Sequence, residues 1–469
     1  MNAPKAHDAS THPEKNLMRP SVLILLLALA SSVMGIAQTV EESFARDPGP
    51  LDFIHGEGYE QAILQSLVGD ALVGLDAQNQ VVPRLSDTWE IKGKRLRFHL
   101  RDGMRFMNGD PVKPEDIVWT FHEIQRSAEA SATKHGVLQG VKVTLSGSFV
   151  ELSSSKPAAR LLMELAHLSV TRKDHMDEGS GPFSLVRTGS EWTFTARNHF
   201  LKPKISAIHF RLIADDQALL QNLQKGWLSI GVPPARNSLR PPPNMVELHQ
   251  PTRAQLLVFS QAGLAPLQAL EKWRGEAFPV NFFSAKAHPS RGLWPETLGF
   301  PLMKIQAPAP PPPKGQHWEL LYSAGDELVQ KALLALRERA KQDGVDLEPK
   351  PVEAALLYQR LQKGDFQLAS ALNIFDPHPW SVLELMDIDG PMNFCEWKDA
   401  AFAGLAAKLD SPQSSSWREL QKVWAAHPTA LPLLDFTSVV WVDKQLKVES
   451  SALGLYLTTP GPAGWNWTK

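Results

Sequence analysis

The chain has 469 residues, 43% hydrophobic and 21% charged, with 48 lysines and arginines against 50 aspartates and glutamates. A formal net charge of −2 excludes the strongly basic balance that nucleic-acid or anionic-membrane binding would use. A single cysteine, Cys395, excludes an intramolecular disulfide framework and a paired-cysteine zinc site, and it reads as a small buried hydrophobe.

Residues 1–20 are polar and carry Lys5, Lys15 and Arg19. Val22 to Met34 is largely apolar, and Gly35-Ile36-Ala37 places small residues at the −3 and −1 positions before Gln38. That order predicts a secretory signal peptide over 1–37. The apolar run of about 13 residues is short against the roughly 20 of a membrane span, although an uncleaved signal anchor is the alternative. No cysteine stands at the cleavage region, so lipid attachment is excluded. Beyond it no run is long enough to span a membrane, and the remainder is expected to be soluble.

Short strand patterns alternate with amphipathic helices from there on, which predicts a mixed α/β architecture. Arg95 to Leu100 alternates with period two, as a half-buried strand does. Pro114-Glu115-Asp116 opens a helix with Ile117, Val118, Phe121 and Ile124 on its apolar face, because proline and acids suit a first turn. Leu219, Leu220 and Leu223 predict a short helix closed by Gly226. Leu328 to Leu336 predicts a longer one ending near Gly344, and Leu356, Leu357, Tyr358 and Leu361 a third ending at Gly364. Pro241 to Pro243 and Pro308 to Pro313 read as stiff surface segments, the second a spacer within a domain.

Catalytic signatures are missing: no HExxH, Walker A, GxSxG or GxGxxG stands in its required context. The 15 histidines are scattered, and Asp174-His175-Met176-Asp177-Glu178 reads as a solvated loop rather than a ligand set. The 14 tryptophans are expected mostly in the core, with some available to stack on a ligand. The sequence therefore points to a non-enzyme without metal or cofactor.

Four stretches carry ordered motifs. Ala71 to Phe121 carries Gly74-Leu75-Asp76, Val82-Pro83, Trp89-Glu90, Phe98-His99-Leu100-Arg101-Asp102-Gly103, Asn108-Gly109 and Glu115-Asp116. Gly179-Ser180-Gly181-Pro182-Phe183, followed by Arg197-Asn198 and Lys225-Gly226, forms the second stretch. Leu320 to Leu372, with Gly364-Asp365-Phe366, forms the third, and Asn393-Phe394 with Arg418 to Leu434 the fourth. In this order the four stretches resemble the family 5 solute-binding proteins, which include receptors for dipeptides, oligopeptides, nickel and some oligosaccharides.

The resemblance implies a two-lobed periplasmic binding protein fold. The first lobe would combine 38–53, 179–250 and 445–469 with an extra subdomain at 54–178, and the second would span 251–444. It further implies a periplasmic receptor of an ABC importer, a monomer that takes a peptide or small molecule and docks on an inner-membrane permease, with no nucleic acid involved. The alternative is an exported protein of the same fold that acts as an assembly or regulatory partner.

The second lobe departs most from the family: Leu267 stands where an arginine is usual, before Gln268-Ala269-Leu270. Peptide-binding relatives carry Asp-Tyr-x-Asp-Pro, whose first aspartate pairs with the ligand's amine. Aligned on Asp376-Pro377 that place falls to Asn373, and aligned on Pro379 it falls to Phe375. Asp376 either takes over the amine contact or caps a turn. The resemblance places Asn373, Asp376, His378 and Trp380 at the cleft, opposite His55, Glu57 and Tyr59, where Gly56 and Gly58 suit close approach of a ligand.

Overall fold

The computed structural model describes residues 38–130, 132–234, 239–278, 282, 287–293, 314–375, 378–386, 392–411, 415–449 and 455–468. The expected signal segment 1–37, the spacer 308–313, and Asp376 lie outside the described residues.

The chain enters through strand Thr39–Phe44 (β1) and helix Tyr59–Val68 (α1). Strands Ser86–Lys92 (β2) and Arg95–Leu100 (β3) then pair with Val141–Ser146 (β4) and Phe149–Ser154 (β5) in an antiparallel sheet of order β2–β3–β5–β4. Helices Pro114–Arg126 (α2), Ala132–Leu138 (α3) and Ala158–Glu164 (α4) accompany that sheet. As the alternation requires, Leu96 and Phe98 of β3 are buried. Pro114 opens α2, and the Lys113 amide donates to Asp116 Oδ2 at 2.8 Å, which answers one orphan donor of the first turn. Ile117, Phe121 and Ile124 are fully buried, worth about 1.5–3 kcal/mol each in transfer free energy. Val118 is only half-buried, and Thr120 takes the inward place instead.

Strands Phe183–Thr188 (β6), Glu191–Ala196 (β7) and Ala207–Leu212 (β8) join β1 in a second sheet of order β1–β8–β7–β6, with β1 parallel to β8. Its core gathers Val40, Phe44, Trp192, Phe210, Tyr456 and Trp465. Helix Asp216–Gln224 (α5) is capped by Asp215, whose Oδ1 accepts from the Ala218 amide at 2.7 Å, and Gly226 follows it at φ 70°. The short strand Ile230–Gly231 (β9) comes next.

The third sheet has seven strands. It includes Met245–Ser260 (β10), Ala287–Pro289 (β11), His317–Ser323 (β12), Asp346–Val352 (β13), Leu368–Ile374 (β14) and Ala430–Asp443 (β15), in the order β9–β15–β10–β14–β12–β13 with β11 on β15. Helices Leu264–Ala277 (α6) and Glu327–Gln342 (α7) cover one face through Leu267, Leu270, Val329, Leu333 and Leu336. Helix Ala354–Gln362 (α8) covers the other through Leu357 and Leu361, together with helix Ser416–Ala426 (α9). Carboxylates begin both α7 and α8: Asp326 accepts from the Leu328 and Val329 amides, and Glu353 from the Ala355 and Leu356 amides.

Two long strands, β10 and β15, link the layers. Met245–Gln250 pairs with Ser438–Asp443 beside β9, and Val440 and Val442 enter the core of the β1 sheet. Gln255–Phe259 pairs instead with Ala430–Asp435 and with β14. Between them the register shifts from Pro251 to Gln255, where proline's missing donor is tolerated at a bulge. On β15 the corresponding change of partners falls between Asp435 and Thr437.

Candidate functional site

Strands β12, β13 and β14 are parallel neighbours: β12 pairs in parallel with β13 and also with β14. The chain moves from β12 through α7 to β13, then back through α8 to β14 on the far side of β12. This reversal places α7 and α8 on opposite faces and leaves a crevice outside the carboxyl ends of β12 and β14. Open α/β sheets bind ligands at such points. A cavity of about 240 Å³ occupies it, lined by Leu256, Ser323, Val329, Leu361, Ser370 and Leu372 among others. The surface around it carries large apolar side chains: Leu356 is 50% exposed, Tyr358 53%, Leu372 51% and Ile374 64%. Scattered exposed leucines need no explanation, but Tyr358 and Leu372 line the cavity itself and give it an apolar mouth.

Asn373 lies between Leu372 and Ile374 and faces the opposite way. It is buried and stands across from Gln255, which pairs in turn with Asp435. Gln255 Nε2 donates to Asp435 Oδ1 at 2.6 Å, Ser290 Oγ at 2.8 Å and the Gly292 carbonyl at 3.0 Å. Its Oε1 has no hydrogen-bond partner among the described residues. Asn373, Gln255 and Asp435 thus form a polar row across three strands, on the side of the sheet that buries Leu257 and Phe259.

His378 is buried with Nε2 3.9 Å from Glu164 Oε1 at the end of α4, so this segment meets the β2–β5 layer. Trp380 departs from the expectation that it faces the cleft. Its side chain is fully buried, its Nε1 donates to the Leu409 carbonyl at 3.4 Å, and its ring lies 5.9 Å from that of Trp417. An indole enclosed on all sides offers no face to a solute.

The segment from Asp47 to Gly58 leaves β1 and starts α1. His55 Nδ1 is 2.9 Å from Asp52 Oδ2, and its Nε2 is 3.1 Å from Ser127 Oγ. Glu57 is exposed, and Tyr59 is 59% exposed at the first turn of α1. The protein surrounding Tyr59 and the charges of Glu42 and Glu60 hold its hydroxyl above the ordinary tyrosine range. Gly56 is tight against its own loop: a Cβ there would stand 2.4 Å from the Asp52 carbonyl oxygen. Gly58 has φ 91° and open space.

Two buried ionisable groups flank this segment. Glu42 on β1 accepts a hydrogen bond from the Tyr456 hydroxyl, and burial pushes its carboxyl up to about 8. Burial likewise pushes the Lys134 amine down to about 8. Nothing among the described residues groups three or more metal-ligating side chains. Asp174 to Glu178 is a loop in which Arg172 Nη2 donates to Glu178 Oε1 at 2.9 Å, as a solvated ion pair would.

The sequence reading missed Leu356, Tyr358, Leu372 and Ile374. The signal was present in α8, which offers Leu356, Leu357, Tyr358 and Leu361 where one buried face takes only Leu357 and Leu361.

Residues 80–261 match the model of bacterial extracellular solute-binding proteins, family 5. A 74-residue stretch is 39% identical to the probable deoxycholate-binding periplasmic protein YgiS of Escherichia coli, covering 15% of this chain and 14% of that one. A 216-residue stretch is 28% identical to the nickel-binding periplasmic protein of the same organism, covering 41% of each. The matched segments thus span less than half of these curated relatives. Among solved structures, the ABC transporter substrate-binding protein CtaP of Listeria monocytogenes superposes with a TM-score of 0.77 at 17% identity, over 92% of this chain and 99% of that one. That likeness establishes a mixed α/β, two-lobed periplasmic binding protein fold.

Proposed function

We propose that this chain, whose residues 80–261 match the model of the family 5 solute-binding proteins, is the substrate-binding component of an ABC importer. Its solute is a peptide or similar small molecule with an apolar group. The observation that carries the reading is the strand-end crevice between α7 and α8, with the half-exposed Tyr358 and Leu372 on its lining. Its volume of about 240 Å³ suits one bulky apolar group rather than a whole ligand. Asn373, Gln255 and Asp435 are buried on the opposite face of β14 and brace the strand that carries Leu372, and Asp376 is the candidate carboxylate for an amine. His55, Glu57 and Tyr59 belong to the facing wall. In this reading the lobes close about the crossing of β10 and β15 near Pro251 and Thr437, and the β2–β5 layer is the subdomain of the first lobe. Export through 1–37 and docking on an inner-membrane permease complete the proposal, with no catalytic step.

A thermal-shift and calorimetric screen with leucine- and phenylalanine-containing tripeptides, deoxycholate and nickel–histidine tests it. A solute at 100 times its Kd adds about 2.7 kcal/mol of stability. Leu372→Asp, at an exposed position, should leave the fold intact and weaken an apolar solute at least tenfold. No shift with any of these solutes, or equal affinity in the variant, refutes the assignment.

A further inference from the structure

We propose that Lys134 is a positioning residue: from the β2–β5 layer it holds the loop that presents His55, Glu57 and Tyr59 to the solute. The inference rests on the receptor reading for its purpose but not for its geometry. Part of the loop's order comes from its own neighbourhood. Asp52 Oδ1 accepts from the Ile54 and His55 amides, both at 2.8 Å. Gln61 Nε2 donates to the Pro48 and Pro50 carbonyls, both at 2.6 Å, and Gln65 Nε2 to the Asp52 carbonyl at 2.7 Å. All of these lie on the segment or on α1, which follows it.

Further ties come from far along the chain, among them the Phe53 amide, which donates to the Met176 carbonyl at 2.8 Å. Lys134 Nζ, on α3, donates to the Phe53 carbonyl at 2.9 Å and the Gly56 carbonyl at 3.1 Å. Ser127 Oγ, just after α2, meets His55 Nε2 at 3.1 Å. Lys134 is only 8% exposed. Burying an ammonium costs several kcal/mol unless it is well paired, and an uncharged side chain would fill this space more cheaply. What the ammonium contributes is two strong donors on carbonyls three residues apart in one loop, a fork that clamps the loop's curvature. Asp52 and Glu57 lie close enough to favour its charged form, so the loop's acids and the lysine stabilise each other. Tyr59 begins α1 directly after the clamped carbonyls, so the clamp also sets where its ring stands.

Hydrogen exchange on the full chain, without added solute, decides the matter. In Lys134→Met the Ile54 and His55 amides should exchange at least tenfold faster, while peptides covering β12 and β14 keep the wild-type rate. Ser127→Ala cuts the second tie without touching the buried amine and should accelerate the same amides by a smaller factor. Binding of deoxycholate and Gly-Leu-Phe, measured alongside, should weaken in Lys134→Met for whichever probe the wild type binds. Failure of both probes to bind wild type would count against the receptor reading, whereas the exchange result stands by itself. Unchanged exchange at 54–55 in both variants, or acceleration spread over the whole chain, overturns the assignment.

Discussion

Glu42→Gln should make the protein more stable at pH 8 and leave it within about 1 kcal/mol of the wild type at pH 5. Glu42 is 8% exposed and accepts a hydrogen bond from the Tyr456 hydroxyl, and no cation among the described residues offsets its burial. Burial raises its carboxyl from 4.5 to about 8. Between those values the folded chain holds a proton that the unfolded chain has released, so stability is full below pH 4.5 and falls as pH rises through 8. Holding one such proton costs about 1.4 kcal/mol for every pH unit crossed, which makes the loss about 3–5 kcal/mol over that window. Glutamine keeps an acceptor for Tyr456 and cannot ionise, so it removes that loss and little else. Urea denaturation of both proteins at pH 5, 6.5 and 8 measures it, because the difference between them cancels every other titrating group. Curves that stay parallel from pH 5 to 8 would show that Glu42 ionises normally in the fold, and the argument from its burial would fail.

Asp70 is fully buried, with Arg84 Nε at 2.9 Å and His199 Nε2 at 2.9 Å. Burial raises its carboxyl, but the charge of Arg84 and the hydrogen bond from His199 outweigh it and hold the group below its ordinary value. Asp70→Asn should therefore cost about 3–5 kcal/mol at pH 7 by leaving Arg84 without its counter-charge, read by chemical denaturation, and less than about 1 kcal/mol would refute the pairing. Cys395 has its thiol pushed up to about 12 by burial, with Sγ 3.5 Å from the Ser260 carbonyl oxygen. Cys395 is half-buried, so Ellman's reagent at pH 8 should label the native protein at least tenfold more slowly than the urea-unfolded chain, and equal rates would place the thiol elsewhere.

The turns and helix ends were legible because their chemistry is local. Asp102-Gly103 and Asn108-Gly109 place glycines at φ 75° and 94°, and Gly226, Gly344 and Gly364 close the helices expected before them. The candidate site was legible only in part, because its composition depends on contacts between distant segments. Nothing near Trp380 in sequence reveals that Trp417 and Leu409 enclose it. A tryptophan on a ligand-contacting loop can face either way, and the packing of α9 decides. In β14 the usual rule is inverted over its last residues: Leu372 and Ile374 are open while Asn373 is buried between them. A period-two pattern read alone assigns the leucine and isoleucine to the core. They are exposed because the strand runs past the covering helices at the crevice mouth, and local rules fail where a surface is kept for binding.

The contact between the layers clarifies which forces would hold two lobes together. Met163 of α4 and Leu75 are buried in one apolar cluster with Leu257, Trp380 and Val382 of the third sheet's layer. Beside them, Glu164 already has Lys156 Nζ at 2.9 Å and Arg160 Nε at 2.7 Å, both from its own layer. Its charge is thus met before His378 approaches to 3.9 Å, and the histidine adds little attraction. The apolar contact therefore contributes most of the attraction between these layers, since the ion cluster is satisfied within its own. Trp380 then has a role that its burial explains: it lies in the cluster that joins Met163 and Leu75 to the third sheet's layer, so the residue expected to face a solute instead helps hold the layers together.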